Sequence, residues 1–336
     1  MPPPELSVVI PVRNEAPNVR QLHQELTDVL RAWGRSYELL FVEDGSTDDT
    51  FERLAEIHRR DPRVRVIRFR RNFGQTAGFA AGFAHARGRY IVTADGDLQN
   101  DPSDIPGMVE ELERGGFDIV CGWRRDRKDP FFSRRMPSTI ANRIISWATG
   151  VHLHDYGCSL KVFRAEVVKP MRLYGEMHRF LPAIASEMGV RISERVVSHR
   201  RREHGTSNYG ISRTVRVLLD LLTVKFLISY STRPLQIFGV LGLGMGAAGL
   251  AVLAYLGYLK YVEHEGISQR LWLPLAVLLI FTGVQLVTLG LLAELQARTY
   301  HESQDKPIYV LRDVLESPAV VDALAAEPRP AARQHV

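Results

Sequence analysis

Short apolar runs alternate with longer amphipathic stretches through the first third of the chain. The runs stand at Leu6 to Val12, Glu38 to Glu43, Val64 to Phe69, Tyr90 to Thr93 and Asp118 to Cys121, and their length and β-branched content predict strands. Between them, Asn18 to Arg31 and Asp48 to Arg59 place apolar residues at helical spacing, the second opened by a capping signal in "GSTDD". Strand and helix in alternation argue for an α/β fold: a mostly parallel sheet flanked by helices. In such a sheet the loops leaving the carboxyl ends of the strands share one edge, where ligands bind. That rule gathers "VRNE" (Val12 to Glu15), "EDGSTDD" (Glu43 to Asp49), "RRNFGQTAG" (Arg70 to Gly78) and "ADGDLQ" (Ala94 to Gln99).

The pattern changes after Gly210. From Ile211 to Tyr230, helical spacing with Arg213, Arg216 and Lys225 among the apolar positions predicts an amphipathic helix at a membrane surface. Leu235 to Tyr258 and Leu271 to Leu295 follow, each longer than the roughly 20 residues that cross a ~30 Å hydrocarbon core. The link from Leu259 to Arg270 is short, so the two spans form a hairpin with both flanks on one side. Arg233, Arg298, Lys306 and Arg312 assign those flanks to the cytoplasm, with Lys260 and Arg270 counting the other way. Gly239, Gly242, Gly246 and Gly249 give the first span a small-residue face for packing on the second span or on another subunit. Gln285 is expected to bond to a neighbouring helix. The expected divisions are a catalytic domain over 1–210, a juxtamembrane helix over 211–232, two spans over 233–298 and a cytoplasmic tail over 299–336, poorly ordered beyond Ser317.

Composition narrows the class. At 336 residues, 45% hydrophobic and 24% charged, the chain can bury a full core and carry an added module. The net charge of +5 and pI near 9.3 fit a phosphate-rich partner. Two cysteines, Cys121 and Cys158, exclude a disulfide scaffold and point to a reducing compartment. "MPPPELSVVIPV" lacks a basic segment followed by a signal-type apolar run, so the N-terminal domain is expected to stay in the cytoplasm.

Candidate chemistry sits in the loops. Asp95 and Asp97 are close enough to repel, which calls for a cation or donor partners. With Gln99 they form an oxygen-ligand set suited to Mg²⁺ or Mn²⁺, ions that keep waters and bind substrate phosphates. Asp44 ends the second strand and can accept from a nucleobase or ribose, while Ser46 and Asp48 cap the next helix. Glu15 either contacts ribose or serves as a helix-start acid. Arginines cluster at Arg124, Arg125 and Arg127, at Arg134 and Arg135, and at Arg200 to Arg202; their planar forks suit phosphate. Nucleic acid is set aside, because no binding motif with interleaved aromatic residues is present. His152, His154 and His204 are too scattered for a zinc site.

"LSVVIPVRNE", "VEDGSTDDT", "RNFGQTAGFAAGF", "ADGDLQNDP", "DYGCSLKVFR" and "RREHGTSNYG", in this order and ahead of a two-span hairpin, resemble glycosyltransferase family 2. Within it the pattern is similar to the polyprenyl-phosphate glycosyltransferases, the branch with dolichol-phosphate mannose synthases and bacterial undecaprenyl-phosphate sugar transferases. The resemblance covers about residues 5 to 300, and "DYGCSLKVFR" with "GTSNY" resembles the aminoarabinose transferases in particular. It implies a GT-A fold, a nucleotide-diphosphate sugar donor, inversion at the anomeric carbon, a polyprenyl-phosphate acceptor, a bacterial inner-membrane location and homotetramers among relatives. Residue by residue it implies that Asp97 and Gln99 ligate the metal with Asp95 shared with the nucleotide. Asp44, Glu15, Gln75 and the backbone of Pro11 and Val12 would serve the nucleoside. Arg202 and Ser207 would hold the diphosphate, and Arg124, Arg134 and Ser138 the acceptor phosphate. Asn208 stands where many relatives have Lys, and Glu43 where Asp is commoner.

A lipid phosphate, with a second pKa near ~6, is largely ionised at neutral pH and needs no strong general base. Catalysis then consists of stabilising the leaving diphosphate and aligning two anions, with Asp97, Asp155 and Arg202 as the catalytic set. A processive polysaccharide synthase is the nearest alternative, but "QRLW" at Gln269 to Trp272 lacks that group's Q-x-x-R-W spacing. A non-catalytic sugar-nucleotide-binding membrane protein is the other, and it would have no need of both acidic loop and arginines.

Overall fold

The computed structural model describes residues 3–125, 142, 145–146, 150–173, 177–186, 188–200, 234–264, 271–303 and 309–316. Its centre is a sheet of eight strands: β1 (Leu6–Val12), β2 (Tyr37–Glu43), β3 (Val64–Phe69), β4 (Tyr90–Thr93), β5 (Ile119–Trp123), β6 (Lys161–Arg164), β7 (Ile192–Val196) and β8 (Leu311–Leu315), in spatial order β7-β5-β6-β4-β1-β2-β3-β8. β1 pairs in parallel with both β2 and β4, and β2 with β3. β6 runs antiparallel between β4 and β5, so the sheet is parallel at its centre and mixed towards the edges.

Burial explains why these runs became strands. Every residue of β2 and β4 is buried, and Val8, Ile10, Leu39, Phe41, Val66 and Val92 share one core. Helices α1 (Val19–Trp33), α2 (Thr50–Arg60), α3 (Gln75–His85) and α4 (Asp104–Gly115) connect the first five strands. α1 buries Val19, Leu22, Leu26 and Leu30, the three- and four-residue spacing that makes one apolar stripe. Chain order reverses direction across β1, with β2 on one side and β4 on the other, so a crevice opens at their carboxyl ends.

At the opposite end of the strands lies a buried polar knot. Glu38 accepts from the Ser7 hydroxyl at 2.6 Å, from the Arg87 amide at 2.7 Å and from Arg65 Nη1 at 2.9 Å. Such burial of a carboxylate and a guanidinium is tolerable only because each meets the other.

β8 is an element the sequence reading did not place, having left everything after 298 as a tail. It adds antiparallel to the β3 edge, through the pairs Val66 with Leu315 and Ile67 with Val314. Its "LRDVL" has only three apolar residues around the Arg312–Asp313 pair, too few to stand out as a strand without the edge it covers.

A second compact unit holds two long helices, Pro234–Tyr261 and Trp272–Ser303. Windows Phe238–Tyr261 and Trp272–Leu292 are long and apolar enough to cross a membrane. The helices pack through glycine: a Cβ on Gly242 would lie 2.5 Å from the Gly283 carbonyl oxygen, and one on Gly249 2.8 Å from that of Ala276. Of the two packings open to the small-residue face, the one on the second helix is present. Gln285, expected to bond to a neighbouring helix, does not face the first helix of the hairpin. It is exposed, because two residues on from Gly283 is more than half a turn around the helix.

Candidate functional site

The crevice is lined by the loops that leave β1, β2, β3 and β4. After β4, the chain enters the left-handed region at Leu98 (φ 62°), whose side chain is buried. A branched residue there costs on the order of 1 kcal/mol, and the turn it makes returns the Gln99 amide to the Asp97 carboxylate at 3.1 Å. Asp97 is buried, and Asp95 accepts a 2.6 Å hydrogen bond from Gln75 Nε2 at the start of α3. Burial, then the neighbouring Asp97 charge, push the Asp95 carboxyl up from the usual range; Ser159, Arg124 and Lys161 act against that rise. Among the described residues no three His, Cys, Asp or Glu side chains converge, and the two carboxylates that stand close here are Asp95 and Asp97. Two crowded acids of which one resists ionisation fit a hard cation that takes its remaining oxygens from water and phosphate.

Asp44 is held from the β3–α3 loop, accepting from the Phe73 amide at 2.6 Å and from Gly74 at 2.9 Å. Burial raises its pKa, and the two amides partly offset that. Its own amide donates to the Val12 carbonyl at 3.0 Å, which brings the β1 and β2 loops together beside Pro11. Glu15 binds the Asn18 side chain and its amide donates to Thr50 Oγ1, so it organises the start of α1. Gln75, read from sequence as a nucleoside contact, is engaged with Asp95.

Arg124 and Asp155 meet. The guanidinium makes a forked pair with the carboxylate, Nε to Oδ2 at 2.8 Å and Nη2 to Oδ1 at 3.0 Å, and Asp155 is only 2% exposed. Burial is the largest single influence and lowers the Arg124 pKa, but the bond to Asp155 and the surrounding negative charges, Asp155 and Asp95 among them, together outweigh it and leave a net rise. The turn carrying Asp155 is fixed by Glu194, which accepts from the amides of His154 and Asp155, while the His154 ring stacks on Trp123 at 4.2 Å. His154 is thus a structural loop residue.

Beyond β7 the chain is stitched to the acidic loop. The Arg200 amide donates to the Gln99 carbonyl at 2.9 Å, His199 forms an antiparallel bridge with Asn100, and the Arg200 guanidinium pairs with Asp101 and Glu25. The predicted phosphate residues Arg134, Ser138, Arg202 and Ser207 lie outside the described residues, as does the 211–230 helix.

Sequence reasoning missed Lys161 and Ser159. Lys161 is 2% exposed, bonds to the Cys158 carbonyl, and sets a buried positive charge beside Asp95. A lysine inside the apolar run "SLKVF" was the available signal, since lysine is buried only when paired. Ser159 bridges three elements: its carbonyl accepts from Thr93 Oγ1 at 2.6 Å, its hydroxyl accepts from Asn100 at 2.8 Å, and it also bonds Asp95.

Residues 7–171 match the family model described as glycosyl transferase family 2. The dodecaprenyl-phosphate galacturonate synthase of Rhizobium johnstonii is 47% identical over 315 residues, covering 93% of this chain and 93% of that protein. The chain belongs to glycosyl transferase family 2. A second relative from this glycosyltransferase family, the undecaprenyl-phosphate 4-deoxy-4-formamido-L-arabinose transferase of Edwardsiella ictaluri, is 37% identical over 93% of this chain and 94% of its own. Among solved structures, the glucosyl-3-phosphoglycerate synthase of Mycobacterium tuberculosis with Mn²⁺, uridine diphosphate and phosphoglyceric acid superposes with a TM-score of 0.51 at 19% identity, over 68% of this chain and 81% of that one. The mannosyl-3-phosphoglycerate synthase of Rubrobacter xylanophilus gives 0.51 at 16% identity, over 66% and 74%. At such identities these two establish the shared GT-A-type fold of the glycosyltransferase and nothing more.

Proposed function

We propose that this family 2 glycosyltransferase moves a sugar from a nucleotide diphosphate to a polyprenyl phosphate, undecaprenyl phosphate first among the candidates, with inversion at the anomeric carbon. The observation that carries the reading is the 47% identity, over nearly the whole of both chains, to a dodecaprenyl-phosphate galacturonate synthase. That relative makes a galacturonyl nucleotide the first donor to assay, and the 4-deoxy-4-formamido-L-arabinose donor of the second relative the next.

The reaction forms a bond between a lipid-phosphate oxygen and the anomeric carbon. The carbon–oxygen bond to the nucleoside diphosphate breaks, and its electron pair leaves with the diphosphate. Because the phosphate monoester is largely dianionic above pH ~6, no side chain has to take a proton from it. Asp44, Glu15 and the Pro11–Val12 backbone receive the nucleoside, and Gln75 holds Asp95 in place. Asp95, Asp97 and Gln99 would hold Mg²⁺ or Mn²⁺, and the bound ion supplies neutralising charge to the departing diphosphate. Arg202 and Ser207 serve the diphosphate; Arg202 follows Arg200, whose amide is tied to the Gln99 carbonyl. Arg124, with its Nη1 left over from the Asp155 pair, receives the acceptor phosphate together with Arg134 and Ser138. Asp155 sets the direction of that guanidinium.

The two long apolar helices form a membrane hairpin, with the catalytic unit on the cytoplasmic side of the bacterial inner membrane, the 211–232 segment at the interface, and the chain in a homo-oligomer. Purified protein in detergent, given undecaprenyl phosphate, Mg²⁺ or Mn²⁺ and a panel of UDP- and GDP-sugars, is expected to form one glycolipid detected by mass spectrometry. Absence of any glycolipid with every donor, from protein that binds nucleotide, would sink the catalytic reading in favour of a sugar-nucleotide sensor.

A further inference from the structure

The β3–α3 loop that clamps Asp44 has a second neighbour. Residues 309–316 follow the second long helix in sequence and lie along the outer edge of β3. The Tyr309 ring stacks on Phe69 with centroids 5.2 Å apart and planes 17° from parallel. Phe69 ends β3 and meets Phe73 edge-on at 5.7 Å and 85°. Phe73 also lies under the Arg71 guanidinium, 4.8 Å from the ring centroid, and its amide is the closer of the two donors to Asp44. Tyr309, Phe69, Phe73 and Asp44 are therefore one continuous line of contacts from a C-terminal strand to the crevice.

Further contacts make that strand a built part of the sheet. The Arg70 amide donates to the Val310 carbonyl at 3.1 Å. Ladder pairing is interrupted by a bulge between Arg68 and Phe69, beside the Tyr309 stack. At the far end Glu316 is clasped by Arg65 and Arg87, the same arginines that close the buried Glu38 knot. The loop has little slack on its inner side, because a Cβ on Gly45, which sits at φ 63°, would lie 2.5 Å from the Arg71 carbonyl carbon and the Asn72 nitrogen. The 70–74 segment is thus pressed between the Asp44 turn and the 309–316 strand, so a shift of one face moves the other.

We propose that Tyr309 is a positioning residue for the nucleotide, acting through Phe69 and Phe73 to set the amides that orient Asp44. This rests on the assignment of Asp44 to the nucleoside. A segment that follows the apolar hairpin in sequence would then complete the donor side of the site, and binding of nucleotide would require it docked.

The test uses the full-length protein in detergent, as Tyr309→Ala and Tyr309→Phe, with UDP and GDP titrated calorimetrically and the KM of donor and lipid phosphate measured separately. Tyr309→Ala is expected to weaken nucleoside diphosphate binding and raise the donor KM about threefold to tenfold, the size expected from losing one aromatic pair. The lipid-phosphate KM is expected to stay unchanged, and Tyr309→Phe to restore the donor values. If Tyr309→Ala does not fold, Tyr309→Leu keeps the apolar volume without the ring and reads the same split. A variant with lower thermal stability but unchanged nucleotide affinity overturns the inference and leaves the donor site standing. Failure of the wild type to bind either nucleotide removes the donor assignment and this inference together.

Discussion

In the sheet unit the deeply buried charged side chains of Glu38, Arg65, Asp155 and Lys161 each meet an opposite charge or a carbonyl. In the helical hairpin glycines hold the closest helix contacts, beside buried Leu256, Leu259 and Ala276, while most leucines, valines and phenylalanines point outward, with Leu243 71% and Phe281 61% exposed. A soluble monomer seldom presents so continuous an apolar surface. The same chain therefore follows two opposite rules: large apolar groups inward where the surroundings are water, outward where hydrocarbon is the fitting surround. Chemistry that uses charge has to sit in the first unit, and the four polar loops all do.

Removing one acid from the crevice should separate the units most sharply. Asp97→Ala is expected to lower turnover at least about a hundredfold, since the departing diphosphate loses its counter-charge. Circular dichroism and detergent extraction should match wild type; retained turnover would take Asp97 out of the mechanism. Next in size is Asp155→Asn, which keeps volume but leaves the Arg124 guanidinium without its charge partner. An aimed guanidinium predicts a rise in the lipid-phosphate KM of about tenfold or more with the donor KM unchanged. Equal changes in both would mean that the pair only holds the turn together.

How much of this was legible in the sequence depended on whether the cause was local. The runs of β1, β3 and β4 matched the predicted limits residue for residue, because near-complete burial concentrates apolar, β-branched residues in each run even where Ser7, Arg65 or Arg68 interrupts it. The gathering of Asp44, Asp95 and Asp97 at one edge followed from parallel topology alone. What escaped were partners far apart in the chain. Arg124 and Asp155 were both singled out, yet 31 residues separate them and nothing in either neighbourhood announces a forked pair. Glu316 reaches Arg65 across 251 positions, so the strand before it looked like an ordinary polar tail. The face of Gln285 was hidden for a different reason: a lone polar residue in an apolar helix does not say which side of the helix it occupies.

Gly283→Val tests the hairpin on its own terms. The new Cβ would start 2.6 Å from the Gly242 carbonyl oxygen, so the helices must separate. A cost of about 1–3 kcal/mol is expected, read as faster loss of helicity on titrating a denaturing detergent. Nucleotide affinity should be retained, and its loss would show that the two units are not energetically separate.

The smallest effect concerns acid. Asp61 is buried on the sheet unit; burial resists its ionisation, but the Arg63 side chain and amide and the His23 ring outweigh that and hold its pKa at about 2, against 3.8 for an ordinary aspartate. A depressed carboxylate contributes stability that is complete above the ordinary value and is lost as pH falls through the lowered one. The window is therefore between about pH 4 and pH 2, and the contribution is of order 1 kcal/mol once solvent screening is allowed for. The hairpin has no matching term, because Phe238 to Leu259 and Trp272 to Leu292 contain no Asp, Glu, Lys, Arg or His. Hydrogen exchange followed by mass spectrometry across that window should show peptides around Asp61 opening while hairpin peptides keep their protection. Asp61→Asn should flatten the first response and leave the second as it was; protection lost at equal rates in both would mean that acid acts on something the two units share.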